Sequence, residues 1–224
     1  MDLPLFNWIE ILTCLVSILY AKQLFRTKLW VLTPYMIMIV IAELRGKYLA
    51  ERKLYVDNVH VFNISTIIEF MAFYYMLYHH VKSETWKKII AWTVPVYLVI
   101  TAINQTVVQG FDNLHTYTLA LGGIFVIIFI FVYFFEALST TEPRILTREP
   151  MFWISVGLFF FYLGDTTYNL VQPYMVREHM QKEGMHLFRL INNNLIIFEY
   201  ACFSIGIIIC GNSNPSVSKQ RSLP

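Results

Sequence analysis

The sequence predicts an all-α, polytopic membrane protein: a seven-transmembrane-helix bundle with its N-terminus outside and its C-terminus cytoplasmic. Three observations carry that reading. The 224-residue chain is 57% hydrophobic and only 14% charged, with a mean hydropathy of +0.53, whereas a soluble domain carries about 25% charged residues. Its apolar residues fall into separate runs of the length that crosses a bilayer. Aromatic side chains, among them Trp8, Trp30, Trp86, Trp92 and Trp153, gather near the ends of those runs, where amphipathic rings favour the headgroup zone.

Seven spans follow in order. Leu5–Ala21 lacks a basic leader and a small-residue cleavage site, so it reads as a retained first helix. Trp30–Leu44 and Ile89–Ile103 are short, and their helices are expected to run on into RGKYLAERK and back into ETWKK. His60–Tyr78 carries the stretch FMAFYYMLYHH, read as core packing plus an interfacial belt. Leu114–Phe135 is nearly pure hydrocarbon, with Gly122–Gly123 marking a close helix contact. Met151–Tyr174 holds Gly164 and Pro173, the one candidate for a kink, and Leu187–Cys210 closes the set. Residues 1–210 thus form a single seven-helix transmembrane domain. Residues 211–224, rich in Ser, Asn and Pro, are expected to be a disordered cytoplasmic tail.

Orientation comes from lysine and arginine in the loops. Ten lie on the side of Lys22, Lys82, Arg148 and the tail, and seven on the side of Arg45, Arg52 and Arg177. The bias places the N-terminus outside, although RGKYLAERK runs against it.

Polar residues inside the spans are the functional signal. A carboxylate at the bilayer centre costs about 2.5–3.5 kcal/mol on insertion scales, so an intramembrane acid asks for a partner or a use. Glu10, Glu43, Glu69, Asp165 and Glu199 all lie within or at the edge of spans. Helical spacing aligns Glu10, Cys14 and Ser17 in the first span and Asp165, Asn169 and Gln172 in the sixth. In the seventh it aligns Asn192, Glu199 and Gly206, with Arg189 one turn before Asn192. Three helices each carry a polar stripe on an otherwise lipid-like cylinder. The expectation is that the stripes face one another and form a cup opening outward, with Asn193 and Asn194 pointing to neighbouring helices. The candidate ligand-binding residues are Asp165, Asn169, Gln172, Asn192, Glu199, Glu69, Glu10 and Arg189. Glu136 reads as a solvated interfacial acid.

Several chemistries fail on residue type. A retinal protein needs a lysine in its last span, and Leu187–Cys210 has none. The six histidines form neither HExxH nor HxxxH, and no GxSxG elbow occurs. The cysteines Cys14, Cys202 and Cys210 show no CxxC spacing. No basic stripe suggests nucleic acid. No cofactor or metal is expected, and the residues favour a non-enzymatic protein.

EPMFWISVGLFFFYLGDTTYNL, with Glu149-Pro150 leading into Phe152-Trp153-Ile154 and Gly157, resembles the sixth span of small, largely uncharacterised seven-helix membrane proteins of bacteria, often encoded beside sensor histidine kinases. LFRLINNNLIIFEYACFSIGIIIC, with Ile191-Asn192, Asn194 and Tyr200, resembles their last span. The resemblance covers about the last third of the chain. It implies a sensory or regulatory role with output through a partner, since this chain has no kinase, cyclase or HAMP-like segment.

The expected function is therefore an integral membrane sensor or regulatory subunit. A small ligand would enter an outward-opening polar cavity, and basic inner loops would meet a signalling partner on the cytoplasmic side. Two alternatives stand beside it: a proton- or cation-coupled carrier using Glu69, Asp165 and Glu199, and a lipid-modifying membrane enzyme. The expected surroundings are the lipid bilayer of the cell membrane.

Overall fold

The computed structural model describes residues 3–139 and 145–212. The tail beyond Asn212 lies outside the described residues. Helices dominate: α1 (Leu5–Leu19), α2 (Ala21–Leu24), α3 (Leu32–Glu51), α4 (Tyr55–His80), α5 (Glu84–Ile103), α6 (Thr116–Leu138), α7 (Pro150–Arg177) and α8 (Gln181–Asn212). No strand occurs among the described residues. α3 runs on through RGKYLAE and α5 begins at Glu84, because both flanks are rich in good helix formers and Ser83 caps α5 by accepting from the Trp86 amide. A π-helical turn, Asn104–Val108, extends α5. α7 continues past Gly164 and Pro173 to Arg177.

Four helices are long and apolar enough to cross a membrane: Tyr55–His80, Glu84–Val108, Thr116–Leu138 and Arg189–Asn212. α1 is apolar but has 15 residues, short of the ~20 that span hydrocarbon. α3 has the length but carries Glu43, Arg45, Lys47 and Glu51.

The seven longer helices close into a ring. α1 packs on α3 and α8, α3 on α4, α4 on α5 and α6, α5 on α6, α6 on α7, and α7 on α8. α4 also reaches across the ring, where Phe73 meets Tyr162 of α7 and Phe203 of α8 edge-on. Small residues set the tightest approaches. A Cβ on Gly157 would come within 3.0 Å of the Glu199 carbonyl, and one on Gly206 within 2.8 Å of the Pro150 carbonyl, so these glycines let α7 and α8 touch backbone to backbone. Gly122 and Gly123 of α6 instead admit neighbouring side chains close to the backbone, Phe70 at the first and Thr166 and Tyr162 at the second.

The sidedness of α1 is inverted relative to a helix of a water-soluble bundle. On α1 the outward residues are Leu5, Leu12, Leu15 and Leu19, the last 77% exposed, while Asn7, Glu10, Thr13 and Ser17 are buried. Trp92, Val99, Val107, Phe131 and Phe135 extend the exposed apolar surface around the ring. Contiguous apolar surface of this extent belongs against lipid or protein rather than water, so the composition of the faces agrees with a membrane setting.

Candidate functional site

The interior of the ring is where the chain keeps its acids. Glu10 of α1 is 3% exposed, Asp165 of α7 is 8% and Glu199 of α8 is 2%. Glu43 of α3 and Glu69 of α4 are partly buried beside them. Glu199 lies within electrostatic range of Glu69, Glu10 and Asp165, Glu69 of Asp165 and Glu43, and Glu10 of Glu43. Five helices thus bring five carboxyl groups to one interior.

Local hydrogen bonds fix each group. The Asn7 amide sits one turn before Glu10 and donates to its Oε2 at 2.9 Å, and its side chain also lies near Glu43 of α3. Tyr162, one turn before Asp165, donates its hydroxyl to Glu69 Oε1 and ties α7 to α4. Asn169 Nδ2 donates to both the backbone carbonyl and Oδ2 of Asp165, at 2.9 and 3.0 Å. Thr13 shares a 2.9 Å bond with Ser204 and donates to the Tyr200 carbonyl at 3.2 Å, which sets the level of α1 against α8. Glu199 stands apart. Its Oε1 is buried with no hydrogen-bond partner, as are Ser155 Oγ and Thr166 Oγ1.

Basic side chains do not offset this charge. The described ion pairs are His60–Asp112, Lys87–Glu84 and Arg177–Glu178, all at helix ends or loops, and none involves a buried acid. Nor do three acids or histidines gather closely enough to hold a metal ion among the described residues.

Against the acids lies an aromatic layer. Tyr35, Phe73, Tyr162, Tyr200 and Phe203 are all 4% exposed or less. Their rings meet at 5.1 Å for Tyr35–Phe73 and 5.7 Å for Tyr200–Phe203, and the Tyr35 and Tyr200 side chains lie near one another. Met76, Leu77, Ile154, Leu158 and Ile207, all fully buried, continue the packing beyond it. The polar side of the interior is closed toward the end where α4 finishes.

The candidate residues divide. Glu10, Glu69, Asp165, Asn169 and Glu199 come together. Asn192 is partly buried with no described hydrogen bond, and Arg189 is exposed without a described contact to the acids. The Gln172 side chain lies outside the described residues. Glu10 is buried because α1 and α8 run side by side with Thr13 locked to Tyr200 and Ser204. Asn194 does not reach a neighbouring helix; it is exposed and donates to its own Leu190 carbonyl at 2.6 Å, the local solution open to an asparagine on an outer face. Glu136 is not simply solvated, for its carboxylate accepts the Lys82 and Ser83 amides and pins the α4–α5 joint. Asn7, Tyr35, Tyr162 and Tyr200 are members of the site that the spacing argument passed over. Asn7 was within reach of it, being one turn before Glu10 on the same stripe.

The described cavities lie elsewhere. One of about 260 Å³ sits between Thr27, His80, Tyr133, Glu136, Glu149 and Cys210, at the end of the ring opposite the expected cup. Another, of about 10 Å³, between Asn63, Thr101, His115 and Thr118, has room for about one water molecule.

No protein-family model, curated protein or solved structure matches the chain.

Proposed function

We propose that all seven longer helices cross the cell membrane, with the N-terminus outside and the C-terminus in the cytoplasm. In this reading the protein is an integral membrane sensor or regulatory subunit. Its ligand site is the acid-lined interior, and its output passes to a partner protein on the cytoplasmic side. The observation that carries the reading is the convergence of Glu10, Glu43, Glu69, Asp165 and Glu199 from five helices on one interior, none of them in a described ion pair. A charge change there bears on the packing of five helices at once, which suits a protein whose work is to change shape. The lack of any extramembrane segment longer than its helix connections, among the described residues, supports output through a partner.

Thermal stability of the purified protein across ligand and pH screens tests this. Stabilisation that disappears in Asp165→Asn and Glu199→Gln supports the reading, and a melting temperature that nothing in the screen moves removes it.

A coupled carrier is the second reading, favoured by the partial exposure of Glu43 and Glu69 beside the buried acids, since relays of intramembrane acids are what such carriers use. The closed aromatic layer weighs against it. Flux in proteoliposomes separates the two.

A further inference from the structure

We propose that the ligand of this interior is the hydrogen ion, taken up by the carboxyl layer of Glu10, Glu69, Asp165 and Glu199 from the end where α1 begins and halted at the aromatic layer. The proposal deepens the sensor reading and rests on its orientation.

The acids present a problem that has few physical solutions. An ionised carboxylate moved from water into a low-dielectric interior is penalised by several kcal/mol or more unless it is paired. Here no lysine or arginine is paired with it among the described ion pairs, so the charge must be neutralised by something that arrives. A single metal ion is disfavoured by the spacing: the acids stand in electrostatic range of one another but not three to a coordination site. An organic cation needs volume, and the space beside Glu199 is filled by Tyr35, Tyr162 and Tyr200, each fully or almost fully buried. A proton requires neither a coordination shell nor a cavity.

Glu199 points to the same occupant independently. Its Oε1 is 2% exposed as part of its residue and has no donor, although Asn7, Asn169 and Tyr162 supply donors to the other three acids. A bare buried carboxyl oxygen is costly, and a proton delivered to this group removes the charge that makes it so. The groups facing Glu199 are Glu10 from α1, Glu69 from α4, Asp165 and Tyr162 from α7, Tyr35 from α3, and Tyr200 and Cys202 from α8, with Glu43 of α3 one step removed beside Glu10 and Glu69. α6 adds no titratable group there, since Gly122 and Gly123 are what it presents to Phe70 and Tyr162.

Each uptake converts one carboxylate and one hydronium ion into a carboxylic acid and a water molecule, and no other bond changes. Glu43 of α3, only partly buried, is the group through which solvent protons reach the buried acids in this proposal. The layer of Tyr35, Phe73, Tyr200 and Phe203 blocks onward passage, which makes the site a reporter of external acidity rather than a conduit.

The test is infrared difference spectroscopy of the full chain in phosphatidylcholine proteoliposomes, with external pH stepped between about 8 and about 4, down to the ordinary carboxyl range. A pH-sensitive dye is trapped in the lumen. The expected result is growth of carboxylic-acid carbonyl bands on external acidification, with one component lost in Glu199→Gln and another in Asp165→Asn, and no acidification of the lumen beyond that of empty vesicles. If either variant fails to fold, wild-type protein bearing carboxyl-labelled glutamate shifts the same bands. Carboxyl bands that ignore external pH overturn the proposal, as does protein-dependent acidification of the lumen. A small molecule that stabilises the protein at constant pH while the bands stay silent also overturns it, yet leaves the sensor reading standing. Responsive bands in a protein that binds no partner support the proton site and retire the sensor reading instead.

Discussion

Tyr162 of α7 donates its hydroxyl to Glu69 of α4, across the middle of the helix ring. This contact joins the polar interior to the aromatic layer, for the Tyr162 ring also packs on Phe70 and Phe73 at 5.4 and 6.0 Å. Removing the hydroxyl alone separates the two roles. Tyr162→Phe keeps the ring and leaves a carboxyl oxygen without its donor, a change that costs about 1–3 kcal/mol for a buried group. Unfolding in mixed micelles should show a loss of that size, and an unchanged unfolding midpoint would mean that Glu69 finds another partner.

The α7–α8 contact predicts opposite outcomes for two like substitutions. Gly157→Ala pushes a methyl group against the Glu199 backbone at about 3.0 Å, where neither helix can yield without losing the other contacts of the pair. Gly184→Ala meets only the flexible Met175 side chain, no closer than 3.3 Å, and removes a helix-interior glycine that is disfavoured by up to ~1 kcal/mol. Thermal denaturation in detergent should place Gly157→Ala below the parent and Gly184→Ala at or above it.

Glu136 holds the α4–α5 joint by accepting the Lys82 and Ser83 amides. Glu136→Ala should release those amides without disturbing the ring, because the carboxylate lies at the end of α6. Hydrogen–deuterium exchange is the measurement: faster exchange over residues 82–84, with the α7 and α8 amides unchanged.

Topology is open to direct test because Cys14, Cys202 and Cys210 are all buried. A single cysteine placed at Lys28, Ser83 or Arg148 should be labelled by an impermeant maleimide only from inside. One at Asp57, Asp112 or Glu178 should be labelled from outside. Any of these residues labelled from the wrong side would break the seven-span arrangement at that helix.

Much of the architecture was legible in the sequence, and the misses have identifiable causes. Apolar run length located the helices, and the flanks RGKYLAE and ETWKK were readable as helix because they contain few breakers. The stripe Glu10, Cys14 and Ser17 gave the inward face of α1 correctly, since a period of 3.6 residues is the same in lipid as in water. What spacing along one helix does not contain is height relative to a neighbour. Glu10 looked interfacial when counted from its own terminus and is buried because Thr13 is locked to Ser204. Asn194 illustrates the converse: a polar residue on the outer face bonds its own helix, so polarity alone does not mark an interface. Tyr162 was hidden within the run FFFYLGD, where a phenol is indistinguishable from its apolar neighbours until a carboxylate on another helix is seen beside it.

A common site requires that the carboxyl groups of separate helices feel one another. A double-mutant cycle on Glu199→Gln and Glu10→Gln, read by unfolding free energy in micelles, measures this directly. Groups sharing one interior should be coupled by about 0.5–3 kcal/mol, in either sign. Strict additivity of the two substitutions would contradict the common site.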